Sequence, residues 1–398
     1  MISEKMKEIM KSGSAIRAMF EEGKRLAQIY GKENVYDFSL GNPSIPAPEK
    51  VNVAIKEIVD VTDPLTLHGY MTNSGYESVR IAVAENLNKK YGANYSADNI
   101  VMTVGAAGGL NVALKAIVNA GEEVVVIAPY FGEYDNYISN VDGRKVVVAA
   151  NPPTFQPDLK ALERAITSKT KAVIINTPNN PTGVIYGKDT LAALGDLLKK
   201  KSDEYSTVIY LISDEPYREL AYDGEEVPFI PDFYSNTIIG YSYSKSLSLP
   251  GERIGYLAIS DKADGCEELV SACNVATRIL GFVNAPSLQQ LLVEKCIDEK
   301  TDLSAYDENR KLLYNSLSKF GFQCVKPQGA FYLFVKCPID ENEFVSKAKS
   351  YNILVVGGKS FGCEGYVRIA YCVSNKMIKE SLPAFEKLAK DIFGNKGE

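Results

Sequence analysis

From about residue 98 the sequence repeats one alternation: a short run of apolar, often β-branched residues, then a stretch with helical spacing. NIVMTV (99–104) leads to a helix from about 108. EVVVIA (123–128) and RKVVVAA (144–150) follow, and DLKALERAI (158–166) reads as helix. KAVIIN (171–176) precedes a helix from about 188, and TVIYLI (207–212) and TIIGYSY (237–243) complete the series. Strands that are apolar on both sides must be covered on both sides, so this pattern predicts a mostly parallel sheet between two helical layers. RIGYLAIS (253–260) follows the last of these runs too closely for a parallel crossover, which needs a dozen or more residues, and is expected to run antiparallel. Near residue 280 the rhythm changes. A helix at 306–319, strands at FQCV and GAFYLFV, a helix at 341–350, strands at ILVV and YVRIAY and a long last helix predict a smaller α+β unit. Upstream, residues 14–30 place Ile16, Met19, Phe20, Ala27 and Tyr30 near one helical face, as an amphipathic helix does.

The expected fold is therefore α/β: a three-layer large unit over 49–283, and a small unit over 284–398 joined by an N-terminal arm over 1–48. The length of 398 residues suits more than one unit. The net charge of −6 argues against nucleic acid or an anionic membrane as partner, and no apolar run approaches membrane-spanning length. Seven cysteines occur without a CxxC pair, which points to reduced thiols in a cytoplasm and to no zinc site. The single histidine, His68, rules out a multi-histidine metal site and leaves proton transfer to Lys, Tyr or a carboxylate.

Ligands of open α/β sheets sit beyond the carboxyl ends of the strands. Five strands here empty small, polar or aromatic residues onto that edge: GAAGGL (105–110), PYFGEY (129–134), TPNNPTG (177–183), SDEPY (213–217) and SKSLSLPGER (244–253). GAAGGL can present backbone N–H groups at a helix N-terminus, where an anion binds; taken alone, a plain glycine-rich turn is the commoner reading. Arg253 and Ser242 offer a cation and a hydroxyl to the same anion, although an arginine is more often a surface ion pair. Asp214 follows a buried strand, where carboxylates are uncommon unless paired. Lys245 is the pivotal residue: burial lowers a lysine pKa and yields an amine that can form a Schiff base.

Together these segments resemble the class I/II aminotransferases, fold type I enzymes that use pyridoxal 5′-phosphate. SYSKSLSLPGERIG resembles the family's cofactor-lysine signature, TPNNPTG its asparagine turn, SDEPY its Asp-x-x-Tyr and YVRIAY its carboxylate-binding arginine strand. The resemblance runs from about Ser14 to the last helix. It implies that Lys245 bonds the cofactor aldehyde as an imine, that Asp214 pairs with the pyridinium nitrogen and that Tyr217 and Asn180 hydrogen-bond the ring oxygen. Phe131 would stack on the ring. Ser242, Ser244, Arg253 and the backbone of Ala106 and Ala107 would hold the phosphate. Arg368 would fork onto the substrate α-carboxylate beside Asn180 and Gly41. Tyr70 would reach the phosphate in the other subunit of a homodimer. The activity implied is transfer of an amino group between an L-amino acid (aspartate, aromatic or a broad set) and a 2-oxo acid such as 2-oxoglutarate. A carbon–sulfur β-lyase on the same fold is the alternative. The phosphate turn departs from many relatives in having Ala106-Ala107 where a Ser, Thr or Lys is common. Arg17 and Arg278 are candidates for a distal substrate carboxylate. His68 is a candidate for the site entrance and Asn284 for the partner's phosphate.

Overall fold

The computed structural model describes residues 2–12 and 15–394. A short strand, β1 (Tyr36–Asp37), precedes the main sheet. That sheet comprises β2 (Ile100–Thr103), β3 (Glu123–Ala128), β4 (Arg144–Asn151), β5 (Gln156–Pro157), β6 (Thr170–Asn176), β7 (Tyr210–Asp214), β8 (Thr237–Ser242) and β9 (Gly255–Ile259), in the order β2-β9-β8-β7-β6-β3-β4-β5. Strands β4, β3, β6, β7 and β8 pair in parallel. As its short connection predicts, β9 is antiparallel, to both β8 and β2. The edge strand β5 is also antiparallel.

Alternation along the strands divides the core. Val124 and Val126 of β3 enter one apolar cluster with Ile174, Ile212 and Leu257, while Val125 and Ile127 enter another with Val173, Ile175 and Leu211. Successive side chains point to opposite faces, and both faces are covered, so every residue of β3 is buried. The C-terminal part forms a second sheet from β10 (Gln323–Val325), β11 (Tyr332–Lys336), β13 (Val356–Gly357) and β14 (Tyr366–Ala370), while β12 (Ile353–Leu354) pairs in parallel with β1. Their core gathers Phe38 from the N-terminal segment, Leu220 and Tyr222 from the main unit, and Phe331, Leu333, Val367 and Phe385. The expected N-terminal helix is present as Ala15–Tyr30; Ser14, where it was placed to begin, lies outside the described residues. Among the described residues no helix is long and apolar enough to cross a membrane.

The helix after β2 starts earlier than its apolar spacing suggests. It spans Gly105–Ile117, so the glycine-rich segment is its first turn. Close packing explains the glycines. A Cβ on Gly255 would collide with the carbonyl oxygen of Tyr241 and lie 3.2 Å from the backbone of Gly105. β9 therefore begins pressed against the start of this helix and sets where Ala106 and Ala107 stand. Replacing Gly255 by Ala overpacks that contact and is predicted to cost about 1–3 kcal/mol, read as a lower urea midpoint at unchanged slope.

Candidate active site

The carboxyl ends of the parallel strands open into a cavity of about 290 Å³. Its lining includes Ala106 and Ala107 after β2, Phe131 after β3, Asn176 and Asn180 around the end of β6, Asp214 and Tyr217 at the end of β7, and Ser242, Ser244, Lys245 and Arg253 after β8. Gly41 from the N-terminal segment and Arg368 and Tyr332 from the C-terminal sheet close it from the other side. Twelve of the thirteen residues to which the resemblance gives a definite cofactor or substrate role are thus brought together. The thirteenth, Tyr70, is 93 % exposed and outside this cavity. Arg278 and His68 are exposed on helices, and Asn284 is half-buried; none of the three lines the cavity. Arg17 lines a neighbouring cleft, which shares Ile16 and Phe131 with the cavity.

Lys245 sits on one helical turn, Tyr243–Ser246, capped by the Ser242 hydroxyl, which accepts from the Ser244 N–H. Its Nζ donates to the Gly41 carbonyl at 2.7 Å and lies 5.3 Å from the centre of the Phe331 ring. Burial, helped by the Arg368 and Arg253 cations, brings its amine down to about 8. The neutral, nucleophilic form is therefore far more accessible near neutral pH than in an ordinary lysine. Gly41 must be glycine for this contact, since a Cβ there would strike the Tyr332 hydroxyl.

Asp214 is 5 % exposed. Burial raises its carboxyl from 3.8 to about 7; the Tyr134 hydroxyl lowers it and the neighbouring Glu215 raises it. Tyr134 donates to Oδ2 at 2.6 Å, and Asn176 Nδ2 donates to the Asp214 carbonyl at 2.8 Å. The other carboxylate oxygen, Oδ1, is buried and has no partner among the described residues. Tyr217 is hydrogen-bonded to Tyr332, hydroxyl to hydroxyl, at 2.8 Å.

Arg368 is 1 % exposed and contacts two rings, its guanidinium 4.5 Å from the Tyr332 centroid and 4.9 Å from that of Phe361. Nη1 donates to Asn180 Oδ1 at 3.0 Å and Nη2 to the Ser39 carbonyl at 2.5 Å, while Nε has no partner among the described residues. Two of the five N–H donors of the fork are engaged, which leaves donors for a carboxylate. Tyr134, Tyr137, Asn176 and Tyr332 belong to the site although the sequence reading did not select them. The motif segments PYFGEY, KAVIIN and GAFYLFV contain three of the four; Asn176 alone carries the signal of the carboxyl end of a parallel strand.

The family model for class I and II aminotransferases matches residues 33–385. The chain belongs to that family. This aminotransferase is 30% identical to the aspartate aminotransferase of Thermotoga maritima, over 97% of this chain and 98% of the relative. It is 29% identical to aromatic-amino-acid aminotransferase 2 of Thermococcus litoralis, over 96% and 97% of the two chains. An aminotransferase from Eubacterium rectale has the same structure to a TM-score of 0.96, at 50% identity and 99% coverage of both chains. The fold is that of the aspartate aminotransferases. The activity is transamination with pyridoxal 5′-phosphate as cofactor. The residues present fit that group. The unpartnered Oδ1 of Asp214 is an acceptor for a protonated ring nitrogen, and hydroxyls, an arginine and a helix N-terminus gather where a phosphate would bind.

An acid raised in the folded state stabilises the fold below its unfolded pKa, and that contribution is lost as pH rises through the folded value. For Asp214 the window runs from 3.8 to about 7. In the cofactor-free protein, Asp214→Asn is therefore predicted to melt at a higher temperature than wild type at pH 8. The gap should narrow as pH falls through about 7 and close only near 3.8, as calorimetry from pH 8 down to pH 4 would show.

Proposed function

We propose that this cavity is the transamination site and that Lys245 is both its covalent anchor for the cofactor and its proton carrier. The observation that carries the reading is one enclosure holding three groups: an amine brought down to about 8, a buried carboxylate with a free oxygen, and an arginine with unused donors. Bound here, pyridoxal 5′-phosphate supplies an electron sink that makes the Cα–H bond of an attached amino acid ionisable. Asp214 keeps a proton on the ring nitrogen, as its buried negative charge is at its strongest there. Tyr217 and Asn180 turn toward the ring oxygen. Phe131 packs against the ring face. Ser242, Ser244, Arg253 and the backbone N–H groups at Ala106 and Ala107 hold the phosphate. With alanines at 106 and 107, the backbone and the serines carry more of that task than in relatives with a polar side chain there.

Arg368 takes the α-carboxylate of the substrate through its planar fork, beside Asn180 and the backbone of Gly41. Freed from the cofactor, the Lys245 amine takes the proton from Cα and returns it on the other side of the exchange, as general base and then acid. We assign the donor to L-aspartate, an aromatic amino acid or a broad set, with a 2-oxo acid such as 2-oxoglutarate as acceptor; the similarity to aspartate and aromatic-amino-acid aminotransferases supports this choice over the carbon–sulfur lyase. The active form is a homodimer in which Tyr70 reaches the partner's phosphate. In support, Tyr70 is exposed on a segment that also exposes Leu65 and Val61, and dimerisation is typical of the family. Its seven free thiols suit a reducing cytoplasm. The ranges 1–48, 49–283 and 284–398 describe arm, large unit and small unit, supported by the packing of Phe38 into the C-terminal core.

Lys245→Ala is predicted to bind pyridoxal 5′-phosphate without a covalent link and to lose turnover, and normal turnover in that variant would refute the assignment. Arg368→Lys is predicted to raise KM for every amino acid by about 10- to 100-fold, the loss of one or two charge-assisted hydrogen bonds. A rise confined to one donor would place Arg368 on a side chain instead of the common carboxylate.

A further inference from the structure

The sheet face turned away from the cavity carries a buried ion pair that the chemistry above does not use. Arg218 and Glu215 are 6 % and 2 % exposed. Arg218 Nη1 donates to Glu215 Oε2 at 2.8 Å, and Nη2 donates to the Tyr256 hydroxyl at 2.6 Å. The guanidinium lies 4.4 Å from the centre of the Tyr241 ring, which itself stacks on Tyr256 at 4.8 Å. The Tyr241 hydroxyl is hydrogen-bonded to Glu219 at 2.7 Å and to Ser246 at 2.9 Å.

Stability alone does not account for this arrangement. A buried ion pair costs desolvation, and apolar replacements of similar volume are often neutral or stabilising. Glu215 Oε1 also lacks a partner among the described residues, which adds to the cost. What the contacts do achieve follows from chain order. Glu215 is next to Asp214, and Arg218 is next to Tyr217. Tyr241 precedes Ser242, and Ser246 follows Lys245. Because neighbours on a strand point to opposite faces, Ser242 lines the cavity while Tyr241 and Tyr256 lie in the core on the other side. One guanidinium thus grips, from behind, both segments that present the catalytic groups in front.

We infer that Arg218 is a positioning residue, which locks the Asp214–Tyr217 turn and the Ser242–Ser246 turn into one frame and so sets Lys245 against Asp214. The inference rests on the site reading above. It separates from general folding because it acts on geometry that the reaction feels and the substrate carboxylate does not: Arg368 and Asn180 belong to other segments.

The test is Arg218→Gln in the full-length holoenzyme, with Arg218→Lys beside it. Four quantities are measured: the Kd of pyridoxal 5′-phosphate by absorbance titration, steady-state kcat and KM with aspartate and 2-oxoglutarate, and the melting temperature. Misplacing reacting groups by about 1 Å costs on the order of 100-fold. Arg218→Gln is expected to lower kcat by about 10- to 100-fold and to weaken cofactor binding, with KM within about twofold of wild type. Arg218→Lys, which keeps the charge but not the fork, is expected to recover part of both losses. Unchanged kcat and cofactor Kd with only a lower melting temperature would overturn the inference, as would a rise in KM that matches the fall in kcat. If Arg218→Gln does not fold, Tyr256→Phe carries the test: it removes one hydrogen bond and keeps the ring stack. A fall in kcat at constant KM supports the inference, and no change in kcat overturns it. Lys245→Ala serves as the control. If it turns over normally, the site reading itself fails; if it is inactive while Arg218→Gln is normal, only the positioning role fails.

Discussion

The site depends on one costly act of burial: a carboxylate, Asp214, at the end of a strand whose every residue is buried. The interior raises that acid to about 7, and the structure answers with a single hydroxyl donor, Tyr134, on one oxygen. The other oxygen has no partner among the described residues, which suits it to the cationic ring proposed above. An isolated buried charge is unfavourable unless it is paired, so the same physics that strains the cofactor-free protein draws the cofactor in. Lys245 is the mirror case, an amine whose charge is disfavoured by the same surroundings. Two groups of opposite sign, each pushed toward neutrality, are suited to covalent bonding on one side and proton retention on the other.

The sheet supplies the frame in which these groups meet. Period-two alternation sends Asp214 and Ser242 to the cavity and sends Tyr241 and Tyr256 to the opposite core. Antiparallel β9 returns the chain directly beside β8, and the tight pairing of Ser242 with Gly255 confines residues 243–254 to a compact loop. That loop holds the lysine on one helical turn and carries Arg253 back to the helix start at Gly105, where a Cβ would lie 3.0 Å from its guanidinium. Arg368 arrives from the separate C-terminal sheet and contacts two aromatic rings. The cavity is thus closed by both sheets, with Asn180 of the main unit hydrogen-bonded to Arg368 of the C-terminal sheet.

Much of this is legible in the sequence because the strands are buried on both faces and read as continuous apolar runs. EVVVIA is a strand over the same residues in the structure, and the carboxyl ends of such runs point to the site. The short elements are less legible. The helix Tyr134–Asn140 has seven residues, too few to display a helical period, so Tyr134 and Tyr137 went unselected although both serve the cavity. Tyr332 reads as one more apolar residue of a strand, and only the fold brings its hydroxyl to Tyr217. Gly105–Ala107 reads as a turn ahead of the helix, since glycine is a poor helix former; in the structure it is the first turn of that helix, packed tightly against β9. The Arg218 network is spread over segments about forty residues apart, and no local pattern announces it.

The most direct test of the central claim is the near-visible spectrum of the purified enzyme with pyridoxal 5′-phosphate, recorded through a half-reaction. An amino acid is added first, aspartate and then tyrosine in separate samples, followed by 2-oxoglutarate. The account predicts that the absorption band of the lysine-bound cofactor converts to that of the aminated cofactor with the donor and returns in full with the 2-oxo acid. A band that forms but is not converted by the donor and restored by the 2-oxo acid would contradict transamination at this site. The absence of any such band would contradict the role of Lys245.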